Sequence, residues 1–299
     1  MAVNPLTKIA LVTGANTGMG YQTALALASR SFKVIMADKD DQTESSRKLI
    51  QASFNDNIVT KHLNLASFNS IRSFVDQLTS EEQRLDVLVN NAGVFCMKNR
   101  ATCDGLDGVM QVNHFGPFLL TNLLVELLGK SEYGGRIIFV TSSGAFFHDL
   151  TLKSLLEPKV FTPNLLSTAL NYYNSKLCNM IASKGFAERL KQCSNITSNC
   201  LHPGMTNTSF LVKTGTEENC FETVAKRITK TALRYSTSEA SNSAGLAVFL
   251  AASNSMRGTS GEYFVNYRAH RQPSVLDNAE FCNRIWSESE KLVGLNKIR

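Results

Sequence analysis

KIALVTGANTGMG, residues 8–20, runs a short apolar segment straight into glycines and then into a helix-like segment. An apolar run with no polar alternation reads as a strand buried on both faces, as in a parallel sheet covered by helices. Gly14, Gly18 and Gly20 then mark the strand-to-helix turn, with the spacing GxxxGxG in place of the more familiar GxGxxG. Glycines also mark plain turns. In this position they let the backbone approach a pyrophosphate, while the helix N-terminus offers unpaired N–H groups and a partial positive charge. Gly14, Asn16, Thr17, Gly18, Met19 and Gly20 are therefore candidate cofactor-binding residues.

Working outward, the same strand-then-helix alternation recurs. KVIMAD (33–38) is a second apolar run and ends in an acid, and NIVTKHLNL (57–65) is a third, more polar run. SIRSFVDQLTSE predicts an amphipathic helix with Ile71, Phe74, Val75 and Leu78 on one stripe. LDVLVNNAG is a fourth strand, GVMQVNHFGPFLLTNLLVELL a long apolar helix, and GRIIFVTSSG a fifth strand. The region around Tyr172 reads as helix, ITSNCLHPG as a sixth strand and GEYFVN as a seventh. The pattern predicts an α/β fold, a single doubly wound (Rossmann) domain over residues 1–299. Its central parallel sheet would have about seven strands and helices on both faces. The least regular segment, about 205–236, is expected to be a substrate lid.

Asp38 closes the second strand 18 residues past Gly20, where a carboxylate can bind the ribose hydroxyls of a dinucleotide. A carboxylate there repels a 2′-phosphate and favours NAD. Lys39 follows at once and would attract that phosphate, favouring NADP. The two residues point in opposite directions.

Composition narrows the classes. Lys+Arg 31 against Asp+Glu 25 gives a net charge of +6, without a block of like charges, so nucleic-acid binding is not indicated. Cysteine occurs 7 times with no CxxC pair, which argues against a disulfide framework or a zinc site and fits reduced thiols in the cytoplasm. No metal site is expected. The first residues show no basic-then-apolar leader, and the longest apolar stretch, FLLTNLLVELL (118–128), is broken by Thr121, Asn122 and Glu126. No membrane span is expected. The 205–236 segment carries a stripe of Phe221, Val224, Ala225 and Ile228 opposite Lys226, Arg227 and Lys230, which would suit a lid or a peripheral membrane contact.

NYYNSKLCNM (171–180) places two tyrosines ahead of Lys176. Residues four apart share a helix face, so Tyr172 and Lys176 project together; Tyr173, three away, is not excluded by spacing. A free tyrosine titrates near 10, and a nearby cation is expected to lower that value. Cys178 reads as a buried core residue, and His114 and His148 as surface or pocket-wall residues.

TGANTGMG, NNAG (90–93), FVTSS, Tyr172–Lys176 and PGMTNT (203–208) together resemble the short-chain dehydrogenase/reductases, from about Lys8 to about Asn266. VNHFGPFLLTNLL, YNSKLCNM, LHPGMTNT, SGEYFVN and IWSESEKLVGL are similar to the retinol dehydrogenase-like branch; related protochlorophyllide reductases share the KxCNM element. The resemblance implies an NAD(P)-dependent oxidoreductase moving a hydride between nicotinamide and a lipophilic carbonyl or alcohol, retinoid-like or another aldehyde or ketone. It selects Tyr172 by the YxxxK spacing and implies a tetrad of Asn113, Ser142, Tyr172 and Lys176. Asn64 and Leu65 would meet the adenine, Asn91, Ala92 and Gly93 would support the sheet beside its ribose, and Pro203, Gly204 and Thr208 would hold the nicotinamide amide. Three features depart from the pattern. The branch usually has a small residue then arginine where this chain has Asp38-Lys39. An aspartate is frequent where this chain has Asn64. Many members carry an N-terminal membrane anchor, and none is read here. A homodimer through 108–128 and 168–192 is a further expectation. Apolar residues in 144–170 and 205–236 predict a greasy pocket at the carboxyl ends of the strands. The opposing class is a cofactor-binding regulator that has lost catalysis; all four tetrad positions are filled, which favours the enzyme.

Overall fold

The computed structural model describes residues 7–95, 97, 101–156, 165–192, 195–204 and 238–295. Thr208 and the expected lid at 205–236 lie outside these residues. Alternation of β1 (Ile9–Thr13), α1 (Gly18–Ala28), β2 (Lys33–Asp38), α2 (Thr43–Ser53), β3 (Ile58–His62), α3 (Phe68–Glu81) and β4 (Val87–Asn90) builds the first half. The second half contains α4 (Gly108–Met110), a π-helical turn (Gln111–Phe115), α5 (Gly116–Gly129) and β5 (Gly135–Val140). It continues with α6 (Leu152–Leu156), α7 (Leu165–Leu190), β6 (Ile196–Leu201), α8 (Ser238–Ala252), β7 (Tyr263–Val265), β8 (Arg268–His270) and α9 (Ala279–Leu292).

The sheet order is β3-β2-β1-β4-β5-β6-β7-β8. All pairings through β7 are parallel, and β7–β8 is antiparallel. Among the described residues, eight strands stand where about seven are expected. The extra one is Arg268–His270, three exposed residues without apolar signal, returned by a tight turn at Asn266 (φ 49°) and Tyr267 (φ 65°).

Strand periodicity divides the core in two. Leu11, Ile35, Leu88, Ile137 and Phe139 face α3, α5, α7 and α9, while Val12, Met36, Val89, Ile138 and Val140 face α1 and α8. Both faces are covered, which is why these strands read as unbroken apolar runs. The progression of strand order across the sheet reverses between β1 and β4, although the two strands are parallel. That switch leaves a crevice at the carboxyl ends of the strands, the ordinary ligand position of such sheets.

One apolar helix was expected over 108–128, but a π turn interrupts it at Gln111–Phe115, where the Gly116 N–H reaches back five residues to the Gln111 carbonyl. Pro117 explains the position in part, because it has no N–H to donate to Asn113, its partner in an α-helical register. Gly116 is required by closeness: a Cβ there would sit 2.7 Å from the Leu65 carbonyl oxygen.

The last helix, α9, closes the molecule through Trp286. Its ring meets Phe118 at 4.7 Å and Phe186 at 4.8 Å, both edge-on, and the Arg189 guanidinium lies 4.0 Å from its centroid. Trp286→Ala is expected to destabilise the fold by about 3–5 kcal/mol, the usual cost of emptying a buried aromatic site. Urea unfolding of the two proteins, followed by circular dichroism, measures it.

Candidate active site

The glycine turn forms the first wall of the crevice. Its three glycines answer three different constraints. Gly14 has φ +65° and donates to the Ala37 carbonyl at 2.8 Å, and a Cβ on it would lie 2.9 Å from the Ala92 Cα. Gly20 lets α1 lie on the turn, since its Cβ would fall 2.1 Å from the Gly14 carbonyl oxygen. Gly18 has φ +60° and open space where a Cβ would be. That open face lies at the start of α1, whose N-cap Thr17 makes no side-chain cap and whose first turn holds no acid. An uncapped helix start beside a glycine with nothing above it fits a dinucleotide pyrophosphate.

Asn91 ties β4 to β1 at the floor of this turn. Its Nδ2 donates to the carbonyls of Thr13 (2.8 Å) and Gly14 (3.3 Å), and the N–H groups of Asn91 and Ala92 both donate to Thr13 Oγ1 at 3.0 Å. At the end of β2 the Asp38 carboxylate accepts from the Asn16 N–H at 3.1 Å, while Lys39 is exposed. Asn64 is half-buried, and its Oδ1 accepts from the Ala66 N–H at 3.0 Å; Leu65 is buried beside it. The residues expected around the adenosine half thus share one end of the crevice.

The four residues expected to form a tetrad converge at the other end. The π turn aims Asn113 at the loop after β4. Its Oδ1 accepts from the Val94 N–H (2.7 Å), and its Nδ2 donates to the Val94 carbonyl (2.8 Å) and to Ser175 Oγ (3.0 Å). Gly93 lies between Asn113 and Lys176: a Cβ there would be 3.2 Å from both Asn113 Oδ1 and Lys176 Nζ. Lys176 is buried at 3% exposure and donates to the Val140 carbonyl at 3.1 Å. Its Nζ lies 5.5 Å from the Tyr172 ring centroid. Ser142 follows β5, caps the next turn by accepting from the Gly144 N–H at 3.1 Å, and hydrogen-bonds Tyr172.

The electrostatics run against one expectation. Lys176 does not lower the Tyr172 phenol. Burial pushes Tyr172 up to about 12, the Ser142 hydrogen bond acts against that, and Tyr173 adds to it. Burial also brings Lys176 down to about 8, so its own charge is costly.

Tyr173 takes a different place. Its ring lies over Gly144, where a Cβ would be 2.4 Å from Cδ1, and next to Phe147 at 6.3 Å. Pro203 and Gly204 (φ +81°) follow β6 near Ser142, with Ser243 Oγ donating to the Pro203 carbonyl. Phe146 and Phe147 are exposed on the same rim, the second at 71%, as are Leu156 and Leu166. Leu150 and Leu155 face the core instead. Cys178 is buried, and burial pushes its thiol up. His148 is partly buried. His114, expected at the surface or pocket wall, is in the core, with burial holding it down to about 3. The clamps supplied by Thr13, Val94, Val140 and Ser175 have no sequence signature, since all four act through the backbone or a small hydroxyl.

Lys176 gives a pH test. Its folded pKa, about 8, is below its ordinary 10.5, so the unfolded chain binds the proton more readily. The penalty is complete below about 8 and is relieved as pH rises toward 10.5. The stability of the wild type relative to Lys176→Met should therefore increase by up to about 3 kcal/mol between neutral pH and pH 10.5, the size of such a shift. Parallel denaturant titrations at the two pH values read it, and an unchanged difference would contradict the burial argument.

The short chain dehydrogenase family model matches residues 8–152. Human retinol dehydrogenase 13 is 35% identical over 290 residues, covering 96% of this chain and 85% of that protein. Human polyprenol dehydrogenase is 28% identical over 298 residues, covering 96% of this chain and 86% of that protein. The crystal structure of an uncharacterized protein from Mycobacterium paratuberculosis superposes with a TM-score of 0.73 at 24% identity, covering 96% of this chain and 93% of that one, a likeness of fold. With this likeness over nearly its whole length, the chain belongs to the short-chain dehydrogenase/reductases, in the retinol dehydrogenase-like branch, and is an NAD(P)-dependent oxidoreductase working between an alcohol CH–OH and a carbonyl C=O.

Proposed function

We propose that Tyr172 is the acid/base of this enzyme and that its substrate is a lipophilic carbonyl or alcohol. The convergence of Ser142, Tyr172 and Lys176 at the carboxyl end of β5 carries this reading. Bound nicotinamide supplies the hydride in reduction and accepts it in oxidation. The chain's own residues handle the proton. Tyr172 gives its O–H proton to the carbonyl oxygen as the hydride reaches the carbon, and takes it back in the reverse direction. Ser142 Oγ hydrogen-bonds that same oxygen and steadies the charge that develops there. Lys176, largely protonated at neutral pH with a pKa of about 8, stands by to stabilise the phenolate left on Tyr172. Asn113 has its side chain committed to Val94 and Ser175. Its backbone carbonyl, denied an α-helical donor by Pro117, is the acceptor a relay water beside Lys176 would use.

Two observations support the lipophilic substrate. Phe146 and Phe147 stand exposed on the turn that begins at Ser142. The similar proteins named above are called after retinol and polyprenol, both lipophilic alcohols.

For the cofactor, we infer that Asp38 outweighs Lys39. The Asp38 carboxylate is half-buried and fixed against the glycine turn by the Asn16 N–H. Lys39 is exposed, so solvent and salt weaken its pull on a 2′-phosphate. NAD is accordingly the preferred form.

Two experiments test the proposal. Tyr172→Phe should lose turnover by at least about a hundredfold, as expected when an acid/base is removed, and keep its affinity for NADH. Tyr173→Phe should remain active, and a dead Tyr173→Phe beside an active Tyr172→Phe would reverse the assignment. Titration by nicotinamide fluorescence should show tighter binding of NADH than of NADPH, with Asp38→Ala shifting the ratio toward NADPH by roughly tenfold, as expected for removing one close repulsive charge. Tighter binding of NADPH to the wild type would mean that Lys39 governs the choice.

A further inference from the structure

His114 is a buried imidazole that the proton path above does not use, and it adjoins Asn113 in the π turn. Its Nε2 lies 2.9 Å from Ser289 Oγ on α9, while Ser289 Oγ lies 2.8 Å from the Ile285 carbonyl. A serine hydroxyl has one proton. That proton goes to the Ile285 carbonyl, which can only accept, so the hydrogen between His114 and Ser289 belongs to Nε2. Burial keeps the ring neutral, and Nδ1 then carries only a lone pair.

Nδ1 and the Oδ1 of Asn179 are buried and make no well-aligned hydrogen bond as they stand, although the two side chains approach each other within hydrogen-bonding reach. One change satisfies the ring. Rotating the Asn179 amide by a half-turn presents its NH2 to Nδ1. Asn179 lies three residues beyond Lys176 on α7. His114 would then join α9 to α7 through the residue next to Asn113.

A π turn is less favourable than a continued α-helix and persists only where its surroundings hold it. Asn113 grips Val94 on one side of the turn, and His114 grips α7 and α9 on the other. We propose that His114, as the Nε2–H tautomer bridging Ser289 and Asn179, is a positioning residue that holds the π turn in register and so places Asn113 and the Val94 loop against Lys176. This rests on the tetrad assignment above. It makes α9, far along the chain from Tyr172, a part of the active-site scaffold.

His114→Leu fills the space and removes the polar demand, and Ser289→Ala removes only the hydroxyl partner. Both should lower kcat by roughly tenfold or more, the scale of small misplacements at a reacting centre. The KM for substrate, NADH affinity and Tm should change little. His114→Gln, which keeps an N–H donor, should recover part of the loss. A purely structural role would lower Tm together with activity and give no recovery with glutamine. In 15N-labelled protein the His114 ring should show the neutral Nε2–H signature at pH 5, and the Nδ1–H signature would overturn the bridge. If His114→Leu does not fold, Ser289→Ala decides: wild-type kcat in that variant overturns the proposal. Tyr172→Phe serves as the control in the same assay. If it is active, the tetrad reading fails; if it is dead while Ser289→Ala and His114→Leu turn over normally, the positioning role alone fails.

Discussion

A lysine amine sunk into the carboxyl edge of a parallel sheet, with no carboxylate paired to it among the described residues, is the constraint on which the rest of the site depends. Burying a charge without a counter-ion is costly, and the protein offsets only part of that cost with the Val140 carbonyl. Several neighbouring features follow from making room for this amine. Gly93 must lack a side chain, because a Cβ would press on both Nζ and Asn113 Oδ1. Asn113 must be turned onto the Val94 backbone, which requires a break in the helix that carries it, and Pro117 and Gly116 lie at that break. The folded protein carries a standing penalty at neutral pH so that a cation is ready beside Tyr172. Active sites commonly hold such locally unfavourable arrangements, offset by packing elsewhere.

Much of the fold was legible from residues 8–38 and the strand–helix alternation that follows them, because strands buried on both faces need continuous apolar runs. The glycine turn was legible for the same reason: three glycines in one strand-to-helix turn signal close backbone approach. The split among them was not, since only coordinates show that Gly20 serves packing on Gly14 while Gly18 serves open space. The π turn was hidden because one extra residue hardly disturbs apolar periodicity in so greasy a helix; Pro117 was the available signal. His114 was misplaced because its partner, Ser289, is 175 residues away and no short-range pattern records it. β8 was missed because an exposed three-residue edge strand has no core face to betray it.

The two adjacent tyrosines show how one helix divides its labour. Tyr172 turns inward toward Ser142, Lys176 and Phe95, whose ring is 5.2 Å away. Tyr173, about 100° further round the helix, covers Gly144. Gly144 also donates to Ser142 Oγ. Tyr173 therefore packs on the turn whose first residue contacts Tyr172, and glycine at 144 is what permits the contact. Its proximity adds to the upward push on the Tyr172 phenol.

That push bears on the proton step proposed for Tyr172. With Tyr172 near 12 and Lys176 near 8, the resting site at neutral pH holds a protonated phenol beside a mostly charged amine. A protonated phenol can donate to a carbonyl oxygen, as the proposed proton step requires. Oxidation of an alcohol must begin from the phenolate, and the free energy needed to form it grows with each unit the phenol lies above the working pH. Donors and cations that enter with the ligands would lower that cost by stabilising the anion, as Ser142 already does in part. Desolvation of the tyrosine thus sets the cost of its phenolate, and what the bound ligands bring to that anion would lower it.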